Sequence, residues 1–558
     1  MIEGIIRIKG KNHWVQTESG VTALTLFRET GEAVYAPCGG NGTCGKCRMY
    51  IKGDISAPDE REKSFLTERE LEGGIRLACM CRLLGNFEIV PMDEAMRIQT
   101  SSKCVAYTAD PILRTVRNGN ETVFYKDGAE FCRESAGVSN LGLAVDIGTT
   151  TVAVYLCDMD NGAILGVRGF KNPQSIYGAD VISRMDKIMK DESLLAIQQR
   201  SVCAAIREAA ESMCEEKSMN ILDVRAAVIC GNTVMQHIAA GINPVSISVA
   251  PFTAPTLFGE EYDAYALGLL SNEKSFVYFS PCFASYVGGD IACGMIATGL
   301  DACEERVLFV DIGTNGELGL STEKGMYFCS AAAGPAFEGA HIACGMAGTT
   351  GAISAVSVRD GKIVYETVAG APAVGICGSG IVDAVAVMLD TGLLDETGLI
   401  AEFDEAGEFA SYLGEDGDGD PVFMIDREKN IYICAKDIRE IQLAKAAVCA
   451  GAYTLLHQSG IEAESISRIV IAGGFGSHLR ASSMRRIGLL PPVNVEKYEF
   501  VGNAAGAGAV AILLGREPRV SAKTICAKSE YTELSKSPYF MEKYIEEMMF
   551  SQEDGEEK

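Results

Sequence analysis

"LGLAVDIGTTTVAVYL", residues 141–156, is an apolar run, an acid, a glycine-and-threonine turn and a second apolar run. β-Branched residues on both sides of a short polar turn read as a hairpin of strands. Asp146 closes the first strand, and Gly148, Thr149, Thr150 and Thr151 supply the turn. The pentapeptide VDIGT at 145–149 returns unchanged at 310–314, within "VLFVDIGTNGELGL", residues 307–320. There Asp311 takes the place of Asp146, and Gly313, Thr314, Asn315 and Gly316 take the turn. One copy reads as an ordinary hairpin. Two identical copies in similar frames point to an internal repeat, which governs every other local reading.

Such a turn presents backbone N–H groups and hydroxyls to phosphate oxygens. An aspartate at the strand end holds Mg²⁺, often through water, or orients an attacking water. Two hairpins facing each other grip a polyphosphate from both sides. Asp146 and Asp311 are the candidate acids, with Asp311 placed nearer the attacking water and Glu317 and Asp290 as alternatives for orienting it. A third element, "RIVIAGGFGSHL" at 468–479, runs a buried strand into Gly473, Gly474, Phe475 and Gly476, a loop able to approach a purine and ribose. Before it, Ile438, Ile441, Val448, Ala452 and Leu455 recur with a helical period and Gly460 is the stop.

Together these segments resemble the phosphate-1, phosphate-2 and adenosine motifs of the ASKHA superfamily (acetate and sugar kinases, Hsp70, actin) over residues 141–540. The resemblance implies two RNase H-like halves with ATP between them. Four more glycine-rich stretches, at 231–238, 285–295, 331–348 and 375–385, either line the cleft, face a partner or form close-packed turns.

Near the amino terminus stands "PCGGNGTCGKC", residues 37–47. Cys38, Cys44 and Cys47 have the spacing C-x5-C-x2-C, and Cys79 follows in "RLAC", residues 76–79. Three thiolates on one tight loop and a fourth from a distant strand suit a [2Fe–2S] cluster. Gly39, Gly40, Gly42 and Gly45 allow the loop positive φ and aim N–H groups at the sulfurs. Zinc ribbons pair two short knuckles, and only one C-x2-C is present here. The stretch resembles ferredoxins of the adrenodoxin-like spacing class over residues 1–93. This implies a β-grasp fold with Cys38, Cys44, Cys47 and Cys79 as ligands. Cys81, two residues beyond Cys79, is either a spare ligand or, one pleat away on the same face of a strand, a neighbour.

The bulk numbers narrow the partners. The 558 residues carry a net charge of −26, which argues against nucleic acid and anionic membranes. No basic n-region with an apolar core opens the chain, and "AAGAGAVAILL" is too short to span a bilayer, so a cytoplasmic protein is expected. The twenty cysteines stand mostly alone in apolar contexts and read as small buried hydrophobes without a disulfide framework. Five scattered histidines offer no metal pair. "GAGAVA", residues 506–511, matches a dinucleotide fingerprint but lacks its βαβ unit, and reads better as a small-residue helix lying close on a sheet.

A ferredoxin loop joined to an ASKHA module is uncommon. With "NPQSIYGADVISRM" at 172–185, the whole chain resembles the reductive activators of corrinoid proteins. That family resemblance implies ATP-dependent transfer of one electron from the cluster, restoring Co(I) from inactive Co(II) on a corrinoid protein, a methyl carrier or methyltransferase subunit. It also implies a low-potential electron donor and leaves a homodimer open. An ASKHA kinase with a redox-regulatory cluster and an ATP-binding assembly factor are the rival readings. The missing sugar or acetate signature counts against the first, and the ferredoxin-type loop against the second. The expected organisation is α/β: a ferredoxin-like domain at 1–93, a linker with a small docking element at 94–140, and a middle domain with the phosphate-1 motif at 141–300. A C-terminal ASKHA domain at 301–540 and an acidic tail at 541–558 complete it. The loop Gly375–Gly380, with Ser379, is the expected partner contact.

Overall fold

A computed structural model of the chain describes residues 1–8, 11–30, 36, 40, 42, 45, 47–91, 104–178, 180–313, 315–417, 419–474 and 476–550. The first sheet contains β1 (Ile2–Ile8), β2 (Lys11–Thr17), β3 (Arg48–Ile55), β4 (Ile75–Leu77) and β5 (Leu83–Pro91) in the order β2-β1-β5-β3-β4. β1 and β5 run parallel at the centre, and a helix, Ala23–Thr30, contributes Leu24 and Phe27 to the core against Ile6, Ile51 and Ile89. This is the expected β-grasp. A buried bidentate pair, Arg76 on Glu62 at 2.7 and 3.0 Å, fixes β4 just before Cys79.

Residues expected to form a linker hold an antiparallel sheet of β6 (Arg114–Asn118), β7 (Glu121–Lys126) and β8 (Ala129–Ser135). Phe124 and Cys132 are buried in the same core as the middle sheet, with the Arg225 guanidinium 4.6 Å from the Phe124 ring. The segment is a packed element, tied down at both flanks.

Two larger sheets share one topology. The first has β9 (Leu141–Ile147), β10 (Thr151–Asp158), β11 (Ala163–Lys171), β12 (Val224–Gly231), β13 (Glu261–Asp263) and β14 (Phe276–Phe279), ordered β11-β10-β9-β12-β14-β13. The second begins with β15 (Val307–Ile312), β16 (Gly316–Thr322) and β17 (Gly325–Ala331). Two small sheets are inserted after it: β18 (Ala352–Arg359), β19 (Lys362–Thr367) and β20 (Gly375–Ile376), then β21 (Leu413–Glu415), β22 (Pro421–Asp426) and β23 (Ile431–Cys434). It resumes with β24 (Arg468–Ala472), β25 (Tyr498–Gly502) and β26 (Glu530–Tyr531), in the order β25-β24-β15-β16-β17-β26. In each half an antiparallel meander is extended by two parallel strands beside its first strand, the RNase H-like pattern. β9 and β12 are covered on both faces, so their burial is nearly continuous and, Asp146 and Arg225 aside, their residues are apolar without alternation.

The helices Gly289–Ala297 and Ala504–Leu514 bring the halves together. A Cβ on Gly508 would sit 1.9 Å from the Cys293 carbonyl oxygen, and one on Gly506 would strike Tyr155 at 2.5 Å. The small residues of "GAGAVA" therefore serve contact with a helix and with a sheet. One core, from Tyr155 and Ala226 through Cys293 to Phe309, Phe328 and Ala509, runs across both halves. The helix predicted around 438–455 spans Ala435–Ser459, and Gly460 ends it with φ 68°.

The structure corrects two expectations about surfaces. The stretch Gly375–Gly380 is buried, because β20 and the helix Gly378–Asp390 lie inside the C-terminal core, and Ser379 donates to the Ser354 carbonyl at 2.7 Å. It offers no face to a partner. The boundary drawn at 540 falls within a helix, Pro538–Glu546, where Tyr539 stacks on His457 at 4.1 Å. Phe550 beyond it is buried. Among the described residues, no helix is long and apolar enough to cross a membrane.

Candidate functional site

The two VDIGT strands deliver their acids to one place. Asp146 lies near the end of β9 and Asp311 near the end of β15, where Asp311 pairs across the hairpin with Glu317 of β16. Asp290 enters from the first turn of the helix Gly289–Ala297. All four carboxyls titrate high, and their charges interact. Burial pushes Asp146 up to about 7, helped by Asp311 and opposed by the Asn503 amide, which donates to it at 3.0 Å. Burial and the Asp146 charge bring Asp290 to about 7, and burial and Asp290 do the same for Asp311. Glu317 is pushed well above the usual carboxylate range by burial, then by Asp290 and Asp311.

Mg²⁺ on a polyphosphate would relieve the repulsion among carboxyls gathered in this way. Among the described residues no three acid, histidine or cysteine side chains close into a direct metal cage. That fits Mg²⁺, which keeps several waters and binds through one or two carboxylates plus phosphate oxygens.

The two Gly-Thr turns flank this acid group. Thr150 Oγ1 donates to Glu338 at 3.2 Å, and Gly313 on the opposite turn lies beside the same carboxylate. Glu338 thus bridges the two turns, from the short helical turn Pro335–Glu338 within the glycine-rich stretch 331–348. The first turn is held from behind. Asn172 donates its backbone N–H to the Thr150 carbonyl and its side-chain amide to the Gly148 carbonyl, both at 2.8 Å, while Arg184 donates to the Thr149 carbonyl. Thr151 starts β10. In the second turn Gly313 N–H donates to the Asn315 carbonyl at 3.0 Å. Gly316, expected to contact phosphate, instead begins β16, and a Cβ there would meet Val448 at 2.8 Å. The missing side chain there permits close packing.

Gly473 has φ 90°, and a Cβ there would stand 2.5 Å from Asp311 Oδ1. Only glycine lets the adenosine-motif loop come this close to the acid. Gly474 beside it is exposed. Gly473→Ala is expected to cost about 1–3 kcal/mol in backbone strain. It should also displace Asp311 from the acid group, with thermal melting as the measurement. A wild-type melting temperature in this variant would contradict the close approach of the loop to Asp311. Thr314 and Phe475 lie outside the described residues.

Of the four cluster ligands expected, Cys38 and Cys44 also lie outside them. Cys47 and Cys79 are adjacent: the Cys79 N–H points at Cys47 Sγ at 3.4 Å, and Ala78 N–H donates to the Cys47 carbonyl at 2.8 Å. Gly40, Gly42 and Gly45 have φ of 89°, 68° and 63°, a backbone conformation that favours glycine at each of the three. These features fit a [2Fe–2S] centre. Cys81 sits in a turn after β4, fully buried, and burial raises its thiol to about 11. It faces the core and the Arg76–Glu62 pair, as a neighbour of the ligand set.

Sequence reasoning missed Glu338, Asn172, Arg184 and Asn503. Their function is set by tertiary contacts, although the quoted segments 331–348 and 172–185 contain three of them.

Comparison with known proteins gives three consecutive family matches: the 2Fe-2S iron-sulfur cluster binding domain over residues 6–84, the RACo middle region over 141–303, and the C-terminal domain of RACo, the ASKHA domain, over 305–557. The corrinoid activation enzyme RamQ of Eubacterium limosum is 30% identical over 96% of this chain and 98% of its own length. A Methanosarcina barkeri protein, the [Co(II) methylated amine-specific corrinoid protein] reductase, is 26% identical over 63% of this chain and 66% of its own. A solved structure of a reductive activator for corrinoid, iron-sulfur protein superposes with a TM-score of 0.71 at 30% identity, covering 99% of this chain and 98% of the other.

Proposed function

Because the chain belongs to the family of reductive activators of corrinoid proteins, we propose that it returns a corrinoid-protein partner from Co(II) to Co(I) and that ATP hydrolysis enables this step. The observation that carries the reading is the convergence of Asp146, Asp290, Asp311 and Glu317 between two phosphate turns, on a chain that also bears a ferredoxin-type cysteine loop. A [2Fe–2S] centre, when bound, supplies electrons one at a time.

The chain's own groups account for the nucleotide step. Amides and hydroxyls of Gly148, Thr149 and Thr150 hold phosphate oxygens. Asp146, held by its Asn503 donor at 3.0 Å, would hold Mg²⁺ through water. Asp311, ionising near neutrality, orients the attacking water and takes its proton, while Asp290 and Glu317 hold that proton within the group. Glu338 must surrender its Thr150 contact when a polyphosphate enters, since two anions cannot share that space.

Coupling follows from linkage. A nucleotide state can bias electron transfer only if partner affinity differs between nucleotide states, and the bias then runs both ways. For a one-electron couple each tenfold bias is about 59 mV, so two decades bring a reduction roughly 120 mV uphill within reach. The test is phosphate release measured with Co(II) corrinoid protein, with Co(I) protein and with no partner. The Co(II) partner is expected to accelerate release about fivefold or more. Equal rates in all three would sink the activator reading, and stimulation by a small phosphate acceptor would favour a kinase.

A further inference from the structure

The ferredoxin-like domain is seated on the middle half. Ile176 and Tyr177 share an apolar cluster with Leu24, Phe27, Cys47 and Leu77, and Leu194 and Ile197 of the helix Ser193–Glu216 pack on it. Ile176 belongs to the short helical turn Pro173–Ile176, and the Asn172 side chain caps that turn by accepting from Gln174 N–H at 2.9 Å. Asn172 is the residue that also ties the Gly148 and Thr150 carbonyls. Arg184, fully buried, closes the other side: it donates to the Thr149 carbonyl, to the Gly178 carbonyl at 3.1 Å, and to Gln174 Oε1 at 3.4 Å. Among the described residues no carboxylate lies within ion-pair distance of it. Its fixed fork spans the phosphate turn and the seat.

The seat is incompletely satisfied. Ser175 Oγ and both polar atoms of the Gln198 amide are buried without a hydrogen-bond partner, immediately beside Ile176 and Ile197. Buried polar atoms in that condition cost stability, and regain it when the contact opens to water. One side of the link thus meets phosphate, and the other ends in a contact that is apolar but strained.

We infer that residues 172–178, together with Arg184, form a mechanical link through which the occupied phosphate turn loosens the ferredoxin-like domain from its seat at Ile176–Tyr177. The inference rests on the nucleotide reading of the turns given above. Asn172 and Arg184 act as positioning residues. When phosphate draws the turn at 148–150 toward the C-terminal half, the carbonyls that Asn172 and Arg184 hold move with it. The cap of the 173–176 turn is carried along, and the apolar contact with Phe27 and Leu24 opens.

The experiment uses the full chain with its cluster, and Mg²⁺ with a non-hydrolysable ATP analogue whose binding is measured separately. Amide hydrogen exchange of the peptide covering 173–178, and the radius of gyration from solution scattering, report the seat. The analogue is expected to speed exchange there at least about tenfold and to enlarge the radius. Ile176→Ser, which touches no nucleotide group, should exchange fast with and without the analogue while binding it normally. Arg184→Lys, which keeps the charge but loses the fork, should show a smaller nucleotide response in the same peptide. Analogue bound with no change in exchange overturns the link alone, as does an Ile176→Ser chain that still responds like the native one. Failure of the native chain to bind the analogue overturns the nucleotide reading, and the link with it.

Discussion

Asp311→Asn should lower ATP turnover about 10²–10⁴-fold and, in the same protein free of nucleotide and Mg²⁺, raise the melting temperature at pH 8. The first effect follows from removing the group that accepts the water's proton. The second follows from the direction of its titration. In the folded chain burial and Asp290 raise Asp311 to about 7, well above its value of 3.8 without those neighbours. Below pH 4 the carboxyl is protonated in folded and unfolded chains alike and costs nothing. Between 4 and 7 the folded chain still holds a proton that the unfolded chain has released, so stability falls as pH rises. Above 7 the full penalty, a few kcal/mol at most, is present. Asparagine never ionises, so the variant's advantage should grow from pH 4.5 to pH 8. Adding Mg-ATP should stabilise the native chain more than the variant. Calorimetric melting at the two pH values, with phosphate release, checks both halves. A melting gap that ignores pH, or unchanged turnover, would remove Asp311 from the acid group.

Cys47→Ala should bleach the visible absorption of the reconstituted protein and reduce Co(II) reduction to background, leaving nucleotide binding intact. Cys47 is buried and receives the Cys79 N–H on its sulfur, so alanine removes both a ligand and the acceptor that aligns the second one. The phosphate turns stand on the other two sheets and do not need it. Cys81→Ala is the control, because that thiol lies in the core and its loss costs about 1 kcal/mol of packing. The spectrum should survive it. Loss of the chromophore in the Cys81 variant, or its retention in the Cys47 variant, would redraw the ligand set.

The acid group was legible because its signals are local. A β-branched run, an aspartate and a glycine turn read the same in any context, and the repeat doubled the signal. Asp290 and Glu317 joined it as alternatives and lie in the same group. What escaped was made by tertiary contact. Arg184 lies fully buried because the turn at 148–150 and the Gly178 loop offer it carbonyls, partners set by tertiary contact. Glu338 sits in one of four glycine-rich stretches that look alike on paper. The stretch 285–295 places Asp290 at the cleft, whereas Gly375–Gly380 and Gly316 use the missing side chain for close packing. Glycine runs signal close approach without saying to what. The segment 114–135 has short strands with mixed faces, and these look like linker until Phe124 finds the middle core.

The stitching of that segment has one more consequence. Val105 N–H donates to the Ala297 carbonyl, and Asp110 and Ile112 N–H groups donate to Leu514 and Leu513, all at 2.9 Å. The chain leading to the ferredoxin-like domain is therefore anchored at the ends of the two helices that join the halves. From Pro91 to Cys104 the covalent reach is at most about 45 Å. A released domain confined to that radius meets its seat again at an effective concentration of the order of millimolar, whatever the dilution of the protein. A corrinoid partner present at about micromolar concentration that needs the seated face starts a thousandfold behind, roughly 4 kcal/mol. Any nucleotide state that weakens the seat by that amount lets the partner compete on equal terms, and the tether returns the domain as soon as the nucleotide leaves.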